Sequence, residues 1–418
     1  MKVTGYAYPW DVLESSFVPR AQALGVDEVA VALSYHSARA ATPWSPSRTA
    51  VVARHAAFYR PMSDGWGALR PSTPDWVSSE DSGGDAVRLL NEAGIPAAAW
   101  IVLTHNSQLG YEHPDVVVRN CFGESYPWAL CPSRPEVREY AAAVVANAVA
   151  GLELSSVILE ACGPLGAVHQ HQHEKTDGVW APAVARLLSI CCCEACADSW
   201  DVDPETVRAQ LVEEVRRLIA TGDLGVAADR LPPSLTAMLL RVRQEATDAL
   251  RAAVLATLPQ GIRIVLHGAL DPWVTGALPG LTPSAPDDVD AVVLFGWAPA
   301  TGAEAAAAAS APVAGAHPNR TTASTPSAPD DVDAVVLFGW APATGAEAVA
   351  AAREALPERV AIASYITAVA AAPVPDIAAY VGELAKAGAA ELHLYHLGLA
   401  GPGRWGDLAT ATAAAHEN

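Results

Sequence analysis

The densest set of groups able to move protons lies between Val157 and Lys175. An apolar run, Val157 to Leu159, ends on Glu160, and a Gly-Pro-Leu-Gly loop follows. His169, His171 and His173 then alternate with glutamine, and Glu174 closes the set. A carboxyl group where a strand meets its loop suits general acid or base work, provided partial burial raises its pKa. The ordinary alternative is a carboxylate paired with a nearby Arg or Lys. Alternation on an extended segment sends the three imidazoles to one side. That suits a metal ion or a row of donors gripping hydroxyl groups, against the plainer reading of a solvated polar loop. Against the metal, barrel metallohydrolases usually carry a His-x-His after the first strand, and Tyr6-Ala7-Tyr8 stands there.

Other reactive side chains follow other strand-like runs. His36 follows Tyr35, His105 follows Thr104, and His267 is followed by Asp271 and Trp273. Tyr365 and the Tyr395-His396 pair close two later runs. Twelve tryptophans against five phenylalanines favour a binding cleft over simple packing, because indole offers a wide flat face with one polar handle. Cys191, Cys192, Cys193 and Cys196 contain a Cys-x-Cys-x-x-Cys spacing that could give zinc three thiolates. Adjacent cysteines cannot all face one ion, and no second cysteine pair lies nearby in sequence. Buried free thiols are therefore the expectation, with zinc the alternative and no other cofactor called for.

Such groups need a scaffold that collects strand ends. Eight strand-like runs supply one: Thr4 to Tyr8, Glu28 to Tyr35, Pro96 to Leu103, Ser156 to Leu159, Arg263 to Leu266, Ala334 to Phe338, Arg359 to Ser364 and Glu391 to Tyr395. Most are short and continuously apolar, the mark of parallel strands covered on both faces. Ala-rich helical patterns separate them, as at Glu136 to Ala150 and Pro375 to Ala389. Alternating β and α units predict an α/β fold, a (β/α)8 TIM barrel forming one domain over residues 1–418. In such a barrel the chemistry sits at the C-terminal ends of the strands. An open doubly wound sheet would offer a glycine-rich turn after its first strand, and Tyr8-Pro9-Trp10-Asp11 cannot cradle a phosphate that way.

Two regions exceed a minimal barrel. Residues 181–260 predict a helical insertion between the fourth and fifth strands. Asp203-Pro204-Glu205 marks a helix start, Leu211, Val215 and Leu218 share one face, and a second helix is expected from about Pro233 to Leu258. Thr282 to Ala305 then recurs, residue for residue, as Thr325 to Ala348, duplicating the sixth strand. The second copy runs through a helical pattern, Ala346 to Leu356, into the seventh strand, whereas the first runs into a loop-like segment. The expectation is that the second copy joins the barrel and that residues 282–324 lie outside it.

Composition narrows the partners. Lys and Arg number 26 against 46 Asp and Glu, a net charge of -20, which disfavours nucleic acid and anionic membrane surfaces. The N-terminus lacks a long apolar core, and no apolar stretch is long enough to span a bilayer, so a cytoplasmic protein is expected. The oligomeric state is left open.

Several segments resemble a group of uncharacterised bacterial barrel proteins related to glycoside hydrolases. They are Leu159-Glu160 with the histidine run from 169 to 175, Ala129 to Ser133 leading to Pro135 to Arg138, the Leu188 to Cys196 segment, and Tyr395-His396. The resemblance implies a glycosidase-like barrel and no particular substrate; the leading expectation is an enzyme acting on a small-molecule carbohydrate. One departure stands out: the seventh strand ends in Ser364-Tyr365-Ile366-Thr367, with no acid where the commonest barrel glycosidases carry their nucleophile. Glu160 is then the expected acid/base and Asp271 its expected partner, with Asp11, Glu174 and Asp407 behind it. Tyr35, His36, His105, His169, His171, His173, His267, Trp273, Tyr365, Tyr395 and His396 are expected to bind substrate. The alternatives are a metal-dependent hydrolase or isomerase built on His169, His171 and His173, and a non-catalytic carbohydrate-binding barrel.

Overall fold

Apolar runs become parallel strands because each finds a neighbour on both edges. The computed structural model describes residues 1–167, 179–269, 271–285, 288–294, 334–338, 342–355, 361–367 and 376–418. His169, His171, His173, Glu174 and Trp340 lie outside these described residues.

The strands, in chain order, are β1 (Lys2–Ala7), β2 (Glu28–Tyr35), β3 (Ala38–Ala41), β4 (Ala50–Ala53) and β5 (Ala57–Phe58). Next come β6 (Ala97–Val102), β7 (Val117–Arg119), β8 (Ser125–Leu130), β9 (Ser156–Glu160) and β10 (Arg263–Gly268). The last are β11 (Ala291–Leu294), β12 (Ala334–Phe338), β13 (Ala361–Thr367) and β14 (Ala389–Tyr395). The parallel order is β1, β14, β13, β12, β11, β10, β9, β6, β2, and β2 pairs again with β1. The sheet therefore closes into an α/β barrel with no parallel edge left unpaired. The antiparallel pairs β3 with β4 and β7 with β8 stand outside the ring, and β5 adds antiparallel to the end of β2.

The two faces of each strand meet different surroundings, as the period of two requires. Val3, Ala7, Ala99, Ile101, Val157 and Leu159 point outward and pack with helix residues such as Val144, Val145, Leu250 and Val254. Tyr6, Ala30, Ala32, Trp100, Ile158 and Tyr365 belong to a second cluster that fills the interior and continues into the mouth. The floor of the interior is ionic. Glu28 accepts from Lys2 Nζ at 3.2 Å, Thr4 Oγ1 at 3.1 Å, Ser155 Oγ at 2.7 Å and Ser156 Oγ at 3.1 Å. Arg263 pairs with Glu391 at 3.1 Å.

Between β9 and β10 the chain forms the helices Pro182–Leu188, Glu194–Ala197, Pro204–Ala220 and Pro233–Leu255. Asp203 caps the third, its carboxylate accepting from Thr206 N at 2.9 Å, and Leu211, Val215 and Leu218 are buried along one face. The 23-residue Pro233–Leu255 helix serves two layers. Leu250 and Val254 cover the outside of the barrel, while Leu235, Met238, Leu239 and Val242 pack into the mouth cluster.

The ring differs from the sequence expectation in its strand number. Eight parallel strands are expected, and nine pair around the ring among the described residues. The first copy of the repeated run does not stay outside: β11 pairs with β10 on one edge and with β12, the second copy, on the other. Both copies carry the same Ala-Val-Val-Leu run, so each satisfies the ladder equally well. Of the segment assigned outside, residues 286–287 and 295–324 fall beyond the described residues.

Candidate active site

β9 carries Glu160 to the C-terminal end of the ring, and the next residue turns the chain sharply. Ala161 adopts φ 54°, a left-handed conformation that costs an alanine roughly 1–2 kcal/mol. It is held there on both sides: its N–H donates to Ala277 O at 2.9 Å, and its carbonyl accepts from Thr104 Oγ1 at 2.8 Å. This fixes the backbone at Glu160 and lets its side chain, only 10% exposed, face the interior.

The carboxyl group meets Trp100 of β6. The indole Nε1 donates to Glu160 Oε2 at 2.7 Å, and His267 Nδ1 of β10 stands 3.8 Å from the same oxygen. Burial pushes the Glu160 pKa up to about 7, against the opposing pull of the Trp100 hydrogen bond. Burial also pushes His267 down to about 3, helped by the neighbouring His393. A neutral imidazole thus stands beside a carboxyl that titrates near neutrality.

From there a polar column descends to the floor. Tyr6 Oη lies 3.5 Å from His267 Nε2 and 3.3 Å from His393 Nδ1. His393 Nε2 lies 3.5 Å from Glu391 Oε2. Burial raises the Glu391 pKa, but the His393 hydrogen bond and the charges of His393, Arg263 and Lys2 outweigh it and hold Glu391 at about 2. Glu28 is likewise lowered, its burial outweighed by Lys2 and the serine hydroxyls. Carboxyl groups at the two ends of one barrel are therefore driven in opposite directions.

Aromatic rings wall the mouth above Glu160. Tyr35 stands edge-on to Trp100 at 4.6 Å and stacks on His36 at 4.2 Å, and His36 stacks on His105 at 4.4 Å. Tyr365 meets Tyr6 edge-on at 5.1 Å and lies 5.5 Å from Tyr395. Tyr8 stacks on Trp10 at 4.5 Å and lies 4.4 Å from the His396 ring.

His396 is fully buried, and burial pushes its pKa down to about 3. Its Nδ1 accepts from Gly398 N at 3.1 Å, so the neutral ring carries its proton on Nε2. That Nε2 is buried without a hydrogen-bond partner among the described residues. Asp11 Oδ2 lies 3.8 Å from His396 Nδ1, and burial lifts the Asp11 pKa to about 7 despite the Tyr8 N–H and the charges of Arg20 and Arg48.

Of the residues expected from sequence, Glu160, His267, Tyr35, His36, His105, Tyr365, Tyr395 and His396 belong to this linked set of contacts. Asp271 and Trp273 sit elsewhere. Asp271 is exposed and its Oδ1 accepts from Trp273 N at 3.0 Å, which closes a local turn. Trp273 lines a cavity with Cys131, Cys196 and Arg243. Sequence reasoning missed Trp100, Tyr6 and His393. The signal was the period of two: Ala98, Trp100 and Val102 share one face of β6, as Glu391, His393 and Tyr395 share one face of β14.

The thiols form a separate group. Cys131, Cys191, Cys193 and Cys196 bring their sulfurs within 4.8 Å of one another. Cys192 points away, its sulfur on Ile190 O at 3.7 Å.

No protein-family model matches the chain, and no curated protein sequence matches it. Solved structures do. The catalytic domain of β-amylase from Paenibacillus polymyxa aligns with a TM-score of 0.53 at 12% identity, covering 100% of this chain and 98% of that one. The PgaB (BpsB) glycoside hydrolase domain from Bordetella bronchiseptica aligns at 0.51 and 12% identity, with 99% of each chain covered. A catalytic mutant of a GH42 β-galactosidase from G. stearothermophilus gives 0.53 at 10% identity, where 99% of this chain spans 56% of that one. At these identities the likeness is one of fold, a glycoside-hydrolase-like α/β barrel. Among the described residues, no helix is long and apolar enough to cross a membrane.

Proposed function

We propose that the chain is a glycoside-hydrolase-like enzyme acting on a carbohydrate, with Glu160 as its general acid/base. The observation that carries this reading is the carboxyl group itself. It stands at a strand end, it is buried against Trp100, and its pKa lies at about 7. Such a group is part protonated and part ionised at neutral pH, so it can give a proton or take one. Oε2 is engaged by the indole N–H, which leaves Oε1 to carry the proton. In the acid role that proton passes to the leaving-group oxygen as the glycosidic bond breaks. Tyr35, Tyr365 and Tyr395 offer ring faces for sugars, and His36, His105 and His396 offer polar atoms for hydroxyl groups. The histidines at 169, 171 and 173 are assigned to substrate as well.

Asp271 remains the expected second carboxylate, and Asp11, buried beside His396, is its competitor. A panel of aryl glycosides tests the assignment with Glu160→Gln, Asp271→Asn and Asp11→Asn. Glu160→Gln is expected to abolish turnover while the protein stays folded, and wild-type turnover in that variant would overturn the proposal. Loss of activity in only one of the two aspartate variants identifies the partner.

The exposed position of Asp271 favours one second reading, a carbohydrate-binding barrel without catalysis. It predicts sugar-dependent quenching of tryptophan fluorescence with no turnover of any glycoside in the panel.

A further inference from the structure

Four cysteines from two separate excursions of the barrel converge on one point. Cys131 follows β8 directly, at the base of its hairpin. Some sixty residues on, Cys191 and Cys193 lie between the Pro182–Leu188 and Glu194–Ala197 helices, and Cys196 lies within the second of them. The Cys131 sulfur is 3.6 Å from that of Cys196, 3.7 Å from that of Cys191 and 3.7 Å from that of Cys193. All four cysteines are free, and these separations are far beyond the roughly 2.05 Å of a disulfide.

The separations match a tetrahedron instead. Zinc–thiolate bonds of about 2.3 Å place ligand sulfurs about 3.8 Å apart along each tetrahedral edge. The surroundings suit such a centre. Ser133 Oγ lies 3.0 Å from the Cys196 sulfur. Bonds of this kind orient thiolate ligands and spread their charge. Arg243 lines the same cavity and offsets the net negative charge that four thiolates leave around a divalent ion. Cys131, Cys193 and Cys196 are buried and Cys191 is partly so, which keeps the centre from bulk water.

We propose that Cys131, Cys191, Cys193 and Cys196 bind one zinc ion, and that this ion clips the β7–β8 hairpin to the helical segment leading to the Pro204–Ala220 helix. Four protein ligands fill a tetrahedral ion, so the centre has no open position and its role is structural. It stands apart from Glu160 and does not depend on the activity proposed above. The three-cysteine spacing in the 191–196 segment supplies most of the ligands, and the fold supplies the fourth.

The test is elemental analysis of the full chain, purified under reducing conditions without chelator, alongside cobalt substitution. One equivalent of zinc per chain is expected. Cys131→Ser and Cys196→Ser are expected to lose it, while Cys192→Ser and Cys121→Ser keep it. Cobalt-loaded wild-type protein is expected to show the intense charge-transfer and visible bands of tetrahedral thiolate ligation, a readout that needs no variant to fold. The proposal is overturned by a chain that holds no zinc and gives no such bands, by zinc that survives Cys131→Ser, or by mass-spectrometric detection of a disulfide among the four.

Discussion

Trp100 donates its indole N–H to Oε2 of Glu160 across 2.7 Å, joining β6 to β9 at the mouth of the barrel. The bond is the main counterweight to a burial that would otherwise raise the carboxyl further. At the floor, Glu391 is held at about 2 by His393, Arg263 and Lys2. Environments that drive carboxyl groups apart in this way separate catalytic acids from structural carboxylates.

Replacing Trp100 by Phe removes the donor that favours the charged form of Glu160. A hydrogen bond to a charged group is worth about 1.5–3 kcal/mol, or roughly one to two pKa units. The limb of the pH–rate profile that belongs to Glu160 should therefore move to higher pH in Trp100→Phe. An unmoved limb, with turnover still measurable, would separate Trp100 from the titration of Glu160.

The buried groups also set a pH dependence of stability. Glu160 and Asp11 have folded pKa values raised to about 7 from 4.5 and 3.8, so their contribution is full below the unfolded values and is lost as pH rises through about 7. His267 and His396 are lowered to about 3 from 6.5, so theirs is full above 6.5 and is lost as pH falls towards 3. The two trends cross in the mildly acidic range, and these four groups place maximal stability at roughly pH 5–6. Urea unfolding of Glu160→Gln should show a smaller loss between about pH 5.5 and 8 than the wild type, by up to about 2 kcal/mol. Parallel losses in the two proteins would place the Glu160 pKa near its ordinary value.

Excision of residues 282–324 removes one whole period of the repeat. Within the first copy, Thr282, Ser284 and Asp288 bind the buried Arg251, and Asp290 accepts from Ile264 N at 2.8 Å. The deletion puts Thr325, Ser327, Asp331 and Asp333 at the same places in the sequence, with the same side chains. We expect a folded, soluble eight-stranded barrel with the wild-type circular dichroism signature. Insoluble or unfolded product would show that the ring needs both copies.

The barrel itself was legible in the sequence. The runs at Glu28–Tyr35 and Ala334–Phe338 match their strands residue for residue, because continuous apolar character has one stable use in a sheet covered on both faces. Asp203 before Pro204 announced its helix for an equally local reason, a side chain bonding to the backbone N–H three residues on.

Glu160 was also visible, since a lone acid after Val157-Ile158-Leu159 has few roles at a strand end. Asp271 looked equivalent by that standard and lies in an exposed turn, because distance along the chain after a strand does not fix where a loop residue points.

Sequence by itself determined what is local and periodic: strands, helix starts, the acid at the end of β9 and the Cys-x-Cys-x-x-Cys spacing. Tertiary structure alone decided what depends on closure. It set Trp100 against Glu160, ran the column from His267 through Tyr6 to His393, brought Cys131 to its three distant partners, and admitted both copies of one apolar run to a single ring. The physical reason is that hydrogen bonding and periodicity act over a few residues. The pKa of a buried carboxyl or the meeting of four thiols depends on which strands and loops the closed sheet makes neighbours.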